Sequence, residues 1–196
     1  MYALSFKHRT DTITHILGYP QRPLVSTRIA DMTGFNEMPS GNNVIAAIAC
    51  YTGFNQEDSI IMNESAVDRG LFDATSFRTH VDEEKKYNIY SRDRICQPPL
   101  NIRKVDANYS LLGKDGIVNK RFECGKNVYV NKGDVIVGKC MININSDETK
   151  VTDDCSLIIK KGEEGWIDKV IKTTTPDGYL MVKIIIRKQR RPEVGD

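Results

Sequence analysis

The sequence predicts a mainly β fold with short helices, and three observations carry that prediction. Short runs of β-branched and aromatic residues follow one another from about Phe77 to Ile186. Glycine turn signals separate them, which is the rhythm of an all-β module. The clearest helix signal spans under two turns.

Residues 1–43 are rich in turn formers, with Gly18, Pro20, Pro23, Gly34, Pro39 and Gly41, so an irregular segment with at most short helical pieces is expected. Val44 to Tyr51 is then a near-continuous apolar run, which suits a strand covered on both faces. Ser59 to Met62 repeats that signature. Asn63 can cap a helix over Glu64 to Arg69, because its side-chain oxygen can accept from an otherwise unpaired N–H, and Gly70 can supply a left-handed exit. A boundary is expected near Asp73. Beyond it, the runs at Gly116, Asn127 to Val130, Gly133 to Gly138, Trp166 to Ile171 and Tyr179 to Ile186 read as strands. Lys114-Asp-Gly116 and Pro176-Asp-Gly178 read as turns between them.

At 196 residues there is room for one ordinary domain or two small ones. Hydrophobic residues at 40% and charged residues at 28% exclude a disordered chain. The longest apolar runs fall far short of the roughly 20 residues that cross a bilayer, and no signal core opens the chain. The chain is therefore expected to stay inside a cell or a viral factory and not to be secreted. Five cysteines, at 50, 96, 124, 140 and 155, form no CxxC pair and read as reduced, mostly packed thiols. With no His at zinc-finger spacing, no zinc is expected.

The net charge of +2 does not announce a nucleic-acid binder. Basic residues nevertheless gather near the two ends. Lys7, His8, Arg9, His15, Arg22 and Arg28 form one group, and Arg187, Lys188, Arg190 and Arg191 the other. Such clusters can neutralise phosphates or serve as solvated faces.

The most informative stretch runs from Cys50 to Met62 and holds adjacent carboxylates, Glu57 and Asp58. Between two strands they would sit at the rim of a core, where an ion needs a donor, a basic partner or a metal. Mg²⁺ is the metal that such oxygens suit, with several waters retained. An extended backbone would point the two side chains to opposite faces, so one ion would not readily take both. An ordinary solvated turn fits the same residues. Lys139, His8 and His15 read as structural or surface residues, and Trp166 and Tyr179 as fillers of the β core.

Tyr19-Pro-Gln-Arg-Pro-Leu24, the string from Gly41 through Gln56-Glu-Asp-Ser59 to Asn63, and Asp68-Arg-Gly-Leu-Phe72 occur in that order. Glu83-Glu-Lys-Lys-Tyr87, Gly133 to Lys139, Gly165 to Val170, Thr173 to Gly178 and Val194-Gly-Asp196 continue the series. This ordered set resembles the second-largest subunit of multisubunit DNA-directed RNA polymerases, in its archaeal, eukaryotic and large-DNA-virus branch. The resemblance implies an internal segment of a transcription nucleotidyltransferase. Residues 1–73 would open a β-barrel-like hybrid-binding region, 74–186 would form the all-β wall (the bacterial flap), and 187–196 would return to the hybrid-binding region.

By position, Glu57 and Asp58 become the acidic pair facing a second, nucleotide-borne Mg²⁺, held transiently by Asp58 directly or through water. That Mg²⁺ would be shared with the nucleotide and the largest subunit. Arg9, Arg22 and Arg28 become candidate contacts to nucleic acid. The implied partners are the largest and other polymerase subunits, template DNA, the RNA–DNA hybrid and incoming NTP. No Asp-x-Asp-x-Asp string for the tightly held Mg²⁺ occurs here, so the segment alone is expected to be inactive. Two other readings are a barrel-sandwich carrier module modified on Lys139, and a split gene product without function of its own.

Overall fold

The computed structural model describes residues 3–121, 125–144 and 149–196, and its architecture is mainly β with short helices, as expected. Cys124 lies outside the described residues. The chain divides into two compact units. The first comprises Met1–Arg9, Thr14–Ser76 and Gln189–Asp196, and the second Thr10–Ile13 and Phe77–Lys188.

The first unit is largely irregular. Among the described residues its regular elements are a short 3-10 helix (Phe6–His8), most of strand β1 (Ile13–Leu17), helix α1 (Arg28–Met32), helix α2 (Glu64–Asp68) and the ends of two strands given below. Each α-helix is started by a side chain. The Thr27 hydroxyl accepts from the Ala30 N–H at 3.2 Å, and Asn63 Oδ1 accepts from the Ala66 N–H at 3.2 Å. Gly70 follows α2 with φ 102°, the left-handed exit that a side chain would resist. A Cβ there would also lie 2.7 Å from the Tyr19 ring. Asn63→Ala should therefore cost about 1 kcal/mol of stability, whereas Asn63→Gly should cost only a few tenths. Urea unfolding of the two variants checks this ordering.

Strands expected over Val44–Tyr51 and Ser59–Met62 are not formed. Both segments are non-repetitive, and no described segment offers them a ladder of hydrogen bonds. They are also not covered on two faces: Ile45 and Ile48 are fully exposed, and Ile60 is 84% exposed. Apolar composition alone cannot make a strand when the partner that would satisfy its N–H and C=O groups is missing.

The second unit holds the core. Its strands are β2 (Ala74–Glu83), β3 (Ser91–Ile95), β4 (Tyr129–Val130), β5 (Val135–Val137), β6 (Lys139–Ile144), β7 (Thr149–Asp154), β8 (Leu157–Ile158), β9 (Gly165–Thr174) and β10 (Leu180–Arg190). The ends of β2 and β10 belong to the first unit. One sheet has the order β1-β2-β10-β9-β4, a second β3-β6-β7, and β5 pairs with β8. The β9–β10 hairpin is antiparallel, with Leu180 opposite Thr174, and closes through the Pro176-Asp-Gly178 turn, where Gly178 has φ 83°.

Along β10 the pairing with β9 shifts register between Ile185 and Ile186, so Ile185 is buried as well, and Val182, Ile184 and Ile186 point into the core. They pack with Ile167, Val128, Val130, Ile117, Val118, Ile136 and Ile159 into a single cluster. Among the described residues every buried hydrophobic side chain lies in this unit. Trp166 does not join the cluster. It is 43% exposed and meets Tyr129 edge-on with ring centroids 5.0 Å apart, because its strand position faces away from that of buried Ile167. Tyr179 is half-buried beside the hairpin turn. Cys140 is buried and Cys96 and Cys155 are partly so, while Cys50 is exposed; these four are free thiols.

His80, on β2, lies half-buried near Arg78, Lys160 and Glu163, and its Nε2 is buried without a hydrogen-bond partner. Burial lowers its pKa below the ordinary imidazole value. Glu163 pulls it up, and Arg78 and Lys160 push it further down. The unfolded chain therefore takes up this proton first as pH falls. The stability that neutral His80 permits is intact above pH ~6.5 and declines as pH drops from there through the lowered folded value. Urea midpoints at pH 7.5 and 5.5 should show a loss that His80→Phe reduces.

Candidate functional site

The loop between Ala49 and Asn63 presents the acidic pair, and one side chain organises it. The Tyr51 N–H donates to Asn55 Oδ1 at 2.9 Å, and Asn55 Nδ2 donates to the Ala49 carbonyl at 2.6 Å. The Ser59 N–H returns to the Gln56 carbonyl at 3.3 Å and closes the turn that carries Glu57 and Asp58. Thr52 (φ 61°) and Glu57 (φ 57°) both adopt the left-handed conformation. That region is sparsely populated for residues with a side chain, and unfavourable for a β-branched threonine.

Glu57 and Asp58 therefore sit on a turn and not on an extended segment, so the alternation that would send their side chains to opposite faces does not apply. Both are exposed, and neither lies at the rim of a buried core. Among the described residues neither carboxylate has a hydrogen-bond or ion-pair partner, Arg9, Arg22 and Arg28 included. Two unengaged carboxylates in solvent have the donor chemistry for a hydrated divalent cation. No group of three His, Cys, Asp or Glu side chains among the described residues is arranged to hold a metal by itself.

The basic candidates are surface residues. Arg9, Arg22, Arg28 and His15 are exposed, with Arg28 opening α1. The Arg22 carbonyl accepts from Asn43 Nδ2 at 2.8 Å, which ties its backbone to the segment leading into the apolar run. Arg187 to Arg190 emerge at the exposed end of β10, where Arg190 pairs with Asp196.

Lys139 is a structural residue. Its Nζ lies 2.6 Å from Asp82 Oδ1 and 3.7 Å from Asp93 Oδ2, with only 13% of the side chain exposed. Tyr87 donates its hydroxyl to Asp93 Oδ2 at 2.8 Å. Burial works against the ammonium charge, but the Asp82 hydrogen bond and the two carboxylates outweigh it and raise the pKa. A carrier lysine must stand free at a hairpin tip, and Lys139 opens β6 with its amine engaged.

Asn55 carries no signature of its role in the sequence, because one asparagine among turn formers looks like any other. Only the geometry shows it reaching the backbone on both sides.

Comparison with known proteins agrees with the ordered strings. The family model described as RNA polymerase Rpb2, domain 6, matches residues 1–196. A probable DNA-directed RNA polymerase II subunit RPB2 homolog of Invertebrate iridescent virus 3 is 47% identical over 189 residues, covering 96% of this chain and 16% of the relative. DNA-directed RNA polymerase subunit Rpo2 of Saccharolobus solfataricus is 40% identical over 206 residues, covering 100% of this chain and 18% of the relative. DNA-directed RNA polymerase II subunit RPB2 of Encephalitozoon cuniculi is 38% identical over 204 residues, covering 100% and 17%. The chain thus spans about one sixth of the length of these relatives.

Proposed function

Since the chain belongs to the RNA polymerase Rpb2 family, as a segment of its second-largest subunit, we propose that it lines the active-centre cleft of a DNA-directed RNA polymerase and faces the incoming nucleotide. The observation that carries this reading is the loop at Glu57 and Asp58, whose carboxylates are exposed, unengaged and held on a turn with left-handed backbone. Strained backbone of that kind collects at functional sites, where surrounding bonds hold it in place. Here Asn55 supplies those bonds around Thr52, and the Ser59 N–H to the Gln56 carbonyl spans Glu57.

The substrate in this reading is an NTP carrying its own Mg²⁺, which neutralises the triphosphate and the departing pyrophosphate. Asp58 holds that ion's water shell or a direct site on it, and Glu57 adds negative charge beside it. Neither carboxylate must move a proton. Their task is to favour the metal-bound triphosphate in the position where its α-phosphate meets the transcript end. The largest subunit supplies the tightly held ion, since this chain has no group for it among the described residues. Arg9, Arg22 and Arg28 contact phosphates of template or hybrid, and the first unit belongs to the hybrid-binding region while the second is the wall.

Asn55→Ala removes the two side-chain bonds that hold the Thr52 part of the loop and leaves both carboxylates in place. In the assembled polymerase it should slow single-nucleotide addition by about tenfold, the scale of a small misplacement at a reacting centre. Assembly with the largest subunit, read by co-purification, should be unchanged. A quench-flow rate equal to that of the parent enzyme would detach this loop from catalysis.

A further inference from the structure

Within the second unit, a hollow of about 440 Å³ is lined by Gln97, Arg103, Lys104, Asn108, Tyr109 and Ser110, among others, and no acidic side chain lines it. Its size falls in the range of small-ligand sites. The cations are arranged and not simply scattered. Arg103 donates its Nε–H to the Pro98 carbonyl at 2.9 Å, and its guanidinium lies over the Tyr109 ring at 4.9 Å from the centroid. These two contacts orient the guanidinium yet leave both terminal nitrogens without an acceptor among the described residues.

Tyr109 is itself locked. It is buried, donates its hydroxyl to Asp154 Oδ2, and accepts from the Lys104 N–H at 3.0 Å. Burial first, and donation to Asp154 next, push its pKa up to about 12, so the ring remains a neutral platform. The Lys104 ammonium likewise has no acceptor among the described residues, whereas Asn108 is turned away to Asp134 at 2.8 Å.

We propose that this hollow binds a phosphate group of a small ligand, with Arg103 as the oriented fork and Lys104, Ser110 and Gln97 as the remaining donors. A carboxylate has two oxygens for the fork and leaves the other donors unused. A phosphate has acceptors enough for all of them, and the planar guanidinium matches it in bidentate fashion. The site stands independently of the acidic loop, since every residue in it belongs to the second unit.

The test uses the full chain, labelled with ¹⁵N, titrated with inorganic phosphate and separately with pyrophosphate and a nucleoside monophosphate. Expected is a saturable shift confined to residues 97–112 and to the Arg103 side-chain N–H, with the three arms ranking the sources of the phosphate. Arg103→Met should weaken binding by at least tenfold, Arg103→Lys should recover part of it, and Lys104→Met should weaken it severalfold. Thermal unfolding of each variant identifies any that fails to fold, and Lys104→Met, at an exposed position, keeps the test available if Arg103 variants do. No saturable shift in any arm overturns the proposal. So does a shift undiminished in folded Arg103→Met and Lys104→Met.

Discussion

Replacing Glu57 and Asp58 together with alanine in the assembled polymerase should slow nucleotide addition by about a hundredfold, the loss seen when an electrostatic contact to a charged transition state is removed. The same variant should need more Mg²⁺ to reach half its maximal rate, because the protein no longer helps to retain the nucleotide-borne ion. Assembly should survive. Both side chains are exposed and without partners among the described residues, so their removal breaks no packing. The single variants divide the work. Asp58→Ala should carry most of the Mg²⁺ effect, and Glu57→Ala a smaller loss of rate. Glu57→Gly separates charge from backbone, since glycine accepts the φ of 57° at least as well and removes the carboxylate. Quench-flow measurement over a Mg²⁺ series reads all four.

The largest effect on stability should come from Lys139→Met. This substitution leaves Asp82 and Asp93 facing each other's surroundings without their shared cation, and the Asp93 side chain is only 1% exposed. Breaking a buried pair from one side costs about 3–5 kcal/mol, chiefly through the charge left behind. One Asp93 oxygen already lacks a hydrogen-bond partner, so the remaining partners cannot absorb the loss. Urea unfolding of the full chain should show the midpoint falling sharply for Lys139→Met. Adding Asp82→Asn and Asp93→Asn to it should recover much of the loss. The raised pKa of Lys139 sets the pH window: its contribution is present below the ordinary lysine value of about 10.4 and is lost as pH rises through the higher folded value.

Where a local rule decides structure alone, the sequence was a sufficient guide. Asn63 caps α2 and Gly70 releases it because both effects act within one turn of chain. The Pro176-Asp-Gly178 turn between β9 and β10 was legible for the same reason. Strand β2 was harder to see. Ala74 to Glu83 mixes charged, polar and apolar residues without clean alternation, and its pairing rests on partners far along the chain. The run from Val44 to Tyr51 misled in the opposite direction, since apolar content was high but no described segment pairs with it. At the site, the two carboxylates could be read from the sequence, whereas the left-handed turn and the Asn55 bonds could not. Those depend on which backbone groups a side chain can reach, and spacing does not encode that.

Localised cleavage by a metal bound in place of Mg²⁺ tests the acidic loop most directly. With Fe²⁺ substituted in the NTP complex of the assembled enzyme, hydroxyl radicals formed at the ion cut only the nearest backbone. The result expected is NTP-dependent cleavage within residues 55–59, lost in the Glu57→Ala/Asp58→Ala variant. NTP-dependent cuts confined to other segments, with this loop intact, would contradict the role assigned to it.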